Sequence, residues 1–217
     1  MTVLESHLVT NYSLLPISCG QRRKQLTTIV GINCRDGVVL SSDKRASKGF
    51  FIGSKETQKI LPVDETIAVA IAGQVSDAEY LVNAVRAERK LVTLQRGFPL
   101  SVKETSKLIA NIAYNGLKSY QPYFAEFIVA GVDTTGPHVF ISDMSGAVSS
   151  EEYVSTGSGS PIAYGVLENS YHKELTMEDA KTIATSAVKA AMERDPGSGN
   201  GIDVLAIPTN TLLAGVN

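Results

Sequence analysis

The sequence predicts an α+β domain in which two antiparallel β-sheets stack on each other and helices cover their outer faces. One reason is the order of the expected elements: strands, two helices, strands, two helices and a final strand. Helices therefore do not alternate with single strands, as they would in a doubly wound parallel sheet. The other reason is composition, because 43% hydrophobic and 19% charged residues in a chain of 217 are typical of one domain with its own core.

The first strands are indicated by runs of β-branched residues. Residues 28–32 and 37–41 form two such runs, and the turn Arg35-Asp36-Gly37 that joins them carries the Asp-Gly signal of a hairpin. A short apolar run follows at residues 59–63. Residues 66–72 alternate large and small apolar side chains, which suits a strand covered on both faces, so we expect this strand at the centre of a sheet.

Four helices and three further strands complete the expected fold. Ser76 and Ser101 are each followed three residues later by a glutamate, which predicts a capping box at the start of two helices. Ser160, which precedes a proline, predicts the cap of a third helix, and Thr176 predicts the start of a fourth. The remaining strands are expected at residues 126–132, 138–142 and 202–207.

Charge and hydrophobicity argue against two classes of partner. With 20 Lys+Arg against 22 Asp+Glu, the formal net charge is -2, so we expect no nucleic-acid partner. No run of 18 apolar residues occurs, so we expect no membrane partner. The first nineteen residues are interrupted by polar residues and no positive charge precedes them, unlike a secretory signal. We therefore expect a cytoplasmic protein.

The sequence predicts neither a metal site nor a cofactor. The three histidines are scattered, and Cys19 and Cys34 form no C-x-x-C pair. The glycine-rich segments at residues 157–160 and 198–201 lack the phosphate-binding pattern with Lys-Ser/Thr, and are expected to be tight turns. A histidine-based catalytic triad is also excluded, so a hydrolase built on this chain would need a base other than imidazole.

One alternative base is the amino group of a chain that begins at Thr27. An α-amino group has a pKa of about 7.7–8, so it accepts a proton near neutral pH and can activate a threonine hydroxyl. Thr27 lies where the irregular first segment meets the first expected strand, so removal of residues 1–26 would leave it at the head of that strand. Composition alone leaves a second interpretation open, because threonine is also a common strand former.

These residues stand within a longer pattern. Its segments are residues 27–32 (TTIVGI), 42–46 (SDKRA), 59–60 (KI), 72–73 (AG), 155–160 (STGSGS), 164–168 (YGVLE), 194–195 (RD) and 198–199 (SG). Taken in order, they resemble the β subunit of the proteasome core particle, particularly the archaeal type, an N-terminal-nucleophile hydrolase. The resemblance covers about residues 27–207. It implies the four-layer αββα sandwich of that family, with residues 1–26 as a propeptide and residues 27–217 as a single peptidase domain.

The resemblance also implies roles for individual residues. Thr27 resembles the nucleophile, released by cleavage of the Leu26–Thr27 bond, and Asp43 and Lys59 resemble the carboxylate and the lysine beside it. Gly73 resembles the residue whose backbone N–H binds the oxyanion. The residues that resemble the outer groups holding the threonine amine and its water are Ser158, Asp195 and Ser198. Those that resemble the lining of the pocket for the side chain before the cut are Ala46, Thr57, Ile71 and Val75, a small apolar set that predicts cleavage after hydrophobic residues.

The same resemblance implies partner subunits, and this sequence departs from the family pattern at a few positions. It implies stacked seven-membered rings of β subunits flanked by rings of α subunits, 28 subunits in all, which receive unfolded polypeptide from an ATP-dependent unfoldase. Leu26 stands where the family usually has glycine, Ile29 stands where threonine is common, and the chain end after Pro208 is short. The alternatives are an unprocessed or silent structural ring subunit, the related bacterial two-ring peptidase, and an α-type subunit, which lacks the Thr27, Asp43 and Lys59 combination.

Overall fold

A computed structural model describes residues 26–211 of the chain. The expected propeptide up to residue 25, Cys19 and residues 212–217 lie outside the described residues. The described part forms two antiparallel sheets, a separate two-stranded hairpin and four helices.

The first sheet has four strands in the order β10-β1-β2-β11. These strands are β1 (Ile29–Cys34), β2 (Gly37–Asp43), β10 (Tyr153–Thr156) and β11 (Ile202–Pro208). The predicted hairpin turn at residues 35–37 is confirmed, because β1 and β2 pair from Ile29 opposite Ser42 to Cys34 opposite Gly37, which leaves Arg35 and Asp36 as the turn. This register places the residue before β1 next to the end of β2.

The second sheet has five strands in the order β5-β6-β7-β8-β9. These strands are β5 (Ile60–Pro62), β6 (Ile67–Gly73), β7 (Ala125–Asp133), β8 (Gly136–Ser142) and β9 (Val148–Glu151). The alternating segment at residues 66–72 becomes β6, which is flanked by strands on both sides and buried on both faces until Gly73, as its pattern predicted. A separate hairpin, β3 (Ala46–Lys48) and β4 (Phe51–Ser54), lies between β2 and β5 in the chain.

Helices cover both outer faces and complete the predicted αββα sandwich. They are α1 (Val75–Arg96), α2 (Val102–Lys118), α3 (Ser160–Ser170) and α4 (Met177–Met192). One buried cluster, which includes Ile29, Leu40 and Ile128, fills the space between the sheets. A second packs α1 and α2 on the five-stranded sheet, and a third packs α3 and α4 on the four-stranded sheet.

The structure corrects two of the predicted helix starts. The capping box at Ser76 is wrong, because α1 already begins at Val75 and the residue before it, Gln74, makes no side-chain cap. The predicted cap at Ser160 is also wrong, since Ser160 is the first helical residue and Gly159 takes the cap position. By contrast, Ser101 forms the predicted capping box and Thr176 caps α4 through its side chain.

Four short strands were not predicted. The sequence segments of β3, β4, β9 and β10 are only three or four residues long, too short for a periodic pattern to stand out. In the part of the chain that the structure describes, no helix is both long enough and apolar enough to cross a bilayer.

Candidate active site

Thr27 lies two residues before the start of β1 and is almost fully buried, with 2% of its surface exposed. Its carbonyl oxygen accepts the N–H of Gly159 at 3.3 Å. Gly157 packs against the same backbone so closely that a Cβ would collide with the Thr27 carbonyl, and its φ of +96° is one that favours glycine. The glycine-rich turn after β10 therefore holds the backbone of Thr27 in place.

Asp43, the last residue of β2, faces Thr27 because β1 and β2 are neighbours. Its Oδ1 accepts the Thr27 hydroxyl at 2.6 Å and the Thr28 N–H at 3.0 Å. Its Oδ2 accepts the N–H groups of Arg45 at 3.0 Å and of Gly199 at 2.9 Å. A fully buried carboxylate needs such donors, and here each of its oxygens has at least two.

Lys59 completes a compact three-residue cluster. Its Nζ donates to Oγ1 of Thr27 and, at 2.6 Å, to Oδ1 of Asp43, and only 4% of the residue is exposed. Burial lowers the pKa of Lys59 from its usual 10.5, while the neighbouring Asp43 carboxylate acts in the opposite direction. The cluster thus presents a hydroxyl, a carboxylate and an amine of lowered basicity within hydrogen-bond contact.

Three further predicted residues form a chain of hydrogen bonds on the other side of Thr27. The backbone N–H of Thr27 donates to Ser158 Oγ at 3.2 Å, and Ser158 donates to Asp195 Oδ2 at 2.6 Å. Ser198 donates to the same carboxylate oxygen at 2.6 Å. The structure therefore connects Asp195 and Ser198 to the nitrogen of Thr27 through Ser158, and their role toward the free amine stays a prediction.

Gly73 is the last residue of β6, an inner strand of the second sheet. Its φ is +127°, and a Cβ would collide with the carbonyl oxygen of Phe124, so this position requires glycine. It lies opposite Ala125 in the pair β6–β7 and directly precedes the segment that leads into α1. The packing of the sheet therefore explains the need for glycine at this position without any role toward a substrate.

The four predicted pocket residues have different surroundings. Ile71 is 2% exposed and packs in the cluster between the second sheet and α1/α2. Ala46 is half-buried at the start of β3, and Val75 is half-buried at the start of α1. Thr57 is half-buried and lies two residues before Lys59 in the chain. Its N–H donates to the carbonyl of Lys44 at 3.0 Å.

Reasoning from the sequence missed several residues that support this site. Thr28 bonds its hydroxyl to Ser198 Oγ at 2.7 Å, and Arg45 donates to Asn200 Oδ1 at 2.8 Å and to the carbonyl of Pro196 at 2.7 Å. Gly159 contacts the Thr28 hydroxyl so closely that a Cβ there would collide with it. The repeated threonine at residues 27–28 was a visible signal. Arg45 lies in the 42–46 segment of the pattern, but its partners could not be seen there, because they lie about 150 residues further along the chain.

Thr156 and Glu126 form another unpredicted contact near the site. Thr156 is the last residue of β10 and donates its hydroxyl to the Glu126 carboxylate on β7. The bond joins the two sheets just before the turn that carries Ser158. No motif in the sequence indicates it, because it depends on how the sheets are stacked.

Two antiparallel sheets between two helical layers, with a buried threonine at the head of the first strand, define the class of N-terminal-nucleophile hydrolase sandwiches. The family model for proteasome subunits matches residues 24–207. The chain therefore belongs to the proteasome subunit family, which is a family of peptidases, and this confirms the resemblance found in the sequence.

Curated relatives support the same assignment. The chain is 44% identical over 182 residues to a proteasome subunit beta of Methanothrix thermoacetophila, which covers 83% of this chain and 87% of the relative. It is 43% identical over 181 residues to a proteasome subunit beta of Methanothermobacter thermautotrophicus, covering 83% and 85%. It is also 43% identical over 178 residues to proteasome subunit beta 2 of Nitrosopumilus maritimus, covering 82% and 84%.

Proposed function

We propose that this chain is the catalytic β subunit of a proteasome core particle and cleaves peptide bonds with Thr27 as an N-terminal nucleophile. The observation that carries the proposal is the contact of Thr27 Oγ1 with both Lys59 Nζ and Asp43 Oδ1 in a buried cluster. A threonine whose only role was to form a strand would not need a buried lysine and a buried carboxylate at its hydroxyl. The cost of burying those two charges favours a chemical role.

The first step is release of the Thr27 nitrogen. In the intact chain this nitrogen is an amide, which cannot serve as a base. Thr27 Oγ attacks the carbonyl carbon of Leu26, the C–N bond of the Leu26–Thr27 peptide breaks, and the nitrogen takes up the proton. Water then hydrolyses the resulting ester, which leaves residues 1–26 with a free carboxylate and Thr27 with a free amine.

The processed site then acts on substrate. The free amine of Thr27, directly or through a water, accepts the hydroxyl proton as Oγ attacks a peptide carbonyl. The Lys59 amine, held by Asp43, stabilises the negative charge that develops on Oγ, and Ser158 with Asp195 orients the amine. The leaving amine departs with a proton, an acyl-enzyme ester remains, and water hydrolyses it to regenerate Thr27.

The substrate is an extended segment of unfolded polypeptide. The N–H of Gly73 binds the oxyanion, and main-chain hydrogen bonds hold the segment against the strand edges beside the site. Ala46, Thr57, Ile71 and Val75 line the pocket for the residue before the cut, and their small or apolar character favours hydrophobic side chains there. Membership of the proteasome subunit family supports assembly with α subunits and other β subunits in stacked heptameric rings. In the proposed function, an ATP-dependent unfoldase feeds these rings in the cytoplasm.

The test is to determine the amino terminus of the chain recovered from particles assembled with α subunits, and to assay a hydrophobic peptide substrate. We expect a terminus at Thr27 and peptide hydrolysis in the wild type. Thr27→Ala should lose both, because it has no nucleophile, whereas Thr27→Ser should keep measurable amounts of both because its Oγ remains. An intact leader and equal inactivity of all three chains would contradict the proposal.

The second candidate is a structural β subunit that stays unprocessed. It is favoured by Leu26, which replaces the usual glycine and packs its Cα and Cβ tightly against Gly197. A Leu26→Gly variant separates the two candidates. A leader that is retained by the wild type but lost in Leu26→Gly would show that the site is competent and that Leu26 prevents its processing.

A further inference from the structure

The tip of the β3–β4 hairpin is an unusually apolar exposed surface. We define the hairpin tip as residues 48–55. Phe50 is fully exposed, and Phe51 and Ile52 are 63% and 40% exposed. Lys48 and Lys55 are exposed on either side of them. Adjacent exposed aromatic side chains are typical of a protein–protein contact and not of a free surface.

A cavity of about 380 Å³ lies on the opposite edge of the sandwich. We call it the socket. Its lining residues are Ile141, Glu151, Glu152, Tyr153, Val154, Tyr164 and Glu168. Its walls are aliphatic and aromatic, and three exposed glutamates surround them. Lys173 pairs with Glu152 at 3.4 Å, and Tyr153 hydrogen-bonds Glu168. Neither of these two contacts involves Glu151.

The positions of the tip and the socket follow from the strand order. The hairpin leaves the end of β2 and returns to β5, so it belongs to the edge of the sandwich where β5 and β11 lie side by side. The socket is built from β8, β9, β10 and α3 on the edge where β9 and β10 end the two sheets. Two different surfaces on opposite edges of one chain are the arrangement that lets identical subunits join head to tail and close into a ring.

We propose that the hairpin tip of one copy binds in the socket of the next copy, with Phe50 and Phe51 against its aromatic and aliphatic walls. Lys48 and Lys55 of the tip then face Glu151 and Glu152 of the socket. The occupant is a second copy because the apolar shape and the charge of the tip are complementary to a socket on the same chain. The proposal rests on the proposed function for the existence of a β ring, and it assigns the contact that joins neighbours within that ring.

This contact also reaches the candidate active site. The segment that carries the tip connects Asp43 at the end of β2 with Lys59 just before β5. A neighbouring subunit that binds the tip would hold the segment between Asp43 and Lys59 in one conformation. Assembly would thus help to hold the carboxylate and the amine at Thr27.

The first experiment is chemical cross-linking of cysteine pairs in the full chain with Thr27→Ala and Cys19→Ser, in particles assembled with α subunits. A chain with both Phe50→Cys and Tyr164→Cys, treated with a short bismaleimide, should give a ladder of linked β chains. The matched control combines Leu94→Cys with Tyr164→Cys, because Leu94 is 76% exposed on α1 but lies outside the tip, and it should give no ladder. No ladder from the first pair, or dimers from Phe50→Cys alone, would overturn the proposal.

The second experiment uses charge reversal and does not depend on cysteine chemistry. Lys48→Glu with Lys55→Glu, and separately Glu151→Lys with Glu152→Lys, should each lower the yield of assembled β ring at least about tenfold, because like charges then face each other. A chain that carries all four changes should recover to within about twofold of wild type. Equal loss in the fourfold variant would contradict the proposed contact.

Both readouts are independent of peptidase activity. The ladder is read in particles of the Thr27→Ala chain, and peptide cleavage is read separately in particles of the wild type. A ladder together with an inactive wild type would contradict the proposed function and support the contact, whereas an active wild type without a ladder would overturn the contact alone.

Discussion

At the scale of single residues, the main feature is a pair of buried ionisable side chains, each of which depends on the other to be buried at this position. Asp43 is fully buried and Lys59 is 4% exposed, and they meet at 2.6 Å beside the Thr27 hydroxyl. Removing one partner of such a pair typically costs about 3–5 kcal/mol, because the other charge is left buried without a partner. Moving both charges out of water is itself costly, so a buried pair of this kind is typical of functional sites.

The lowered pKa of Lys59 predicts how stability changes with pH. Between that lowered value and the usual 10.5, the unfolded chain holds the Lys59 proton while the native chain does not, so the free energy of unfolding rises with pH in this window. The stability advantage of the wild type over Lys59→Met should therefore grow as pH increases toward 10.5. Urea unfolding of both full chains at pH 7, 8, 9 and 10 measures this difference, and a constant or decreasing difference would contradict it.

Lys44 provides the control with the opposite sign. The Asp203 carboxylate, at 3.0 Å, raises the pKa of Lys44 above 10.5. The contribution of the Lys44–Asp203 ion pair to the free energy of unfolding is fully present below the pKa of Lys44 in the unfolded chain. It is lost only as the pH rises through the higher pKa of Lys44 in the folded chain. The difference between the wild type and Lys44→Met should therefore stay constant from pH 7 to pH 10.

At the scale of elements, two serines with the same local sequence pattern have different structures. Ser101 accepts the N–H of Glu104 at 3.2 Å, and the Glu104 carboxylate accepts the N–H of Ser101 at 2.8 Å. Ser76 lies inside α1 and instead accepts a bond from the Gln74 side chain at 3.0 Å. The start of α1 is set by the preceding turn, where the N–H of Gln74 donates to the carbonyl of Phe124 at 2.8 Å.

This difference predicts two unequal substitutions. Ser101→Ala should lower the free energy of unfolding by about 0.5–2 kcal/mol, because it removes a helix cap. Ser76→Ala should change it by less than about 0.5 kcal/mol, because it removes only an exposed side-chain bond. Urea unfolding of the two full-length variants gives both values, and equal losses would show that both serines act as caps.

At the scale of the whole molecule, the distance between the two sheets is set by small residues at the points of closest approach. Gly31 on β1 faces the second sheet, where a Cβ would lie 2.7 Å from Cγ2 of Ile128 and 3.1 Å from Cγ1 of Val139. These contacts are shorter than normal packing distances, so a larger residue would push the sheets apart. Thr27 and Asp43 lie at the first sheet and Lys59 directly precedes β5 of the second, so this spacing also sets the geometry of the site.

Two glycine-to-alanine changes test this spacing. Gly31→Ala should destabilise the full chain by about 1–3 kcal/mol, because the added methyl group overpacks the space between the sheets. Gly165→Ala is the matched control, because it lies in α3 with no atom within 4 Å of the added Cβ. It should stabilise the chain by about 0.5–1 kcal/mol through higher helix propensity. A neutral Gly31→Ala in thermal unfolding would show that the sheets can separate freely.

Much of the fold could be predicted from local patterns, and the exceptions have either local or tertiary causes. The central position of β6 followed from its alternating residues, and the caps of α2 and α4 followed from Ser101 and Thr176. The hairpin tip could not be predicted, because its strands are too short to show a period and its exposed Phe50 and Phe51 resemble buried strand residues. The bond between Thr156 and Glu126 could not be predicted either, because it forms only when the sheets stack.

The sequence by itself determined the order of the four helices and the longer strands, the two-sheet α+β class and the presence of a threonine at the head of the first strand, because these depend on neighbours a few residues apart. Its residues alone left Thr27 as either a nucleophile or a strand former, and only the family resemblance named its partners. The tertiary structure decided which groups meet at Thr27. Those contacts join residues as far apart as Thr27 and Ser158, 131 positions along the chain, and they arise from strand pairing and sheet stacking.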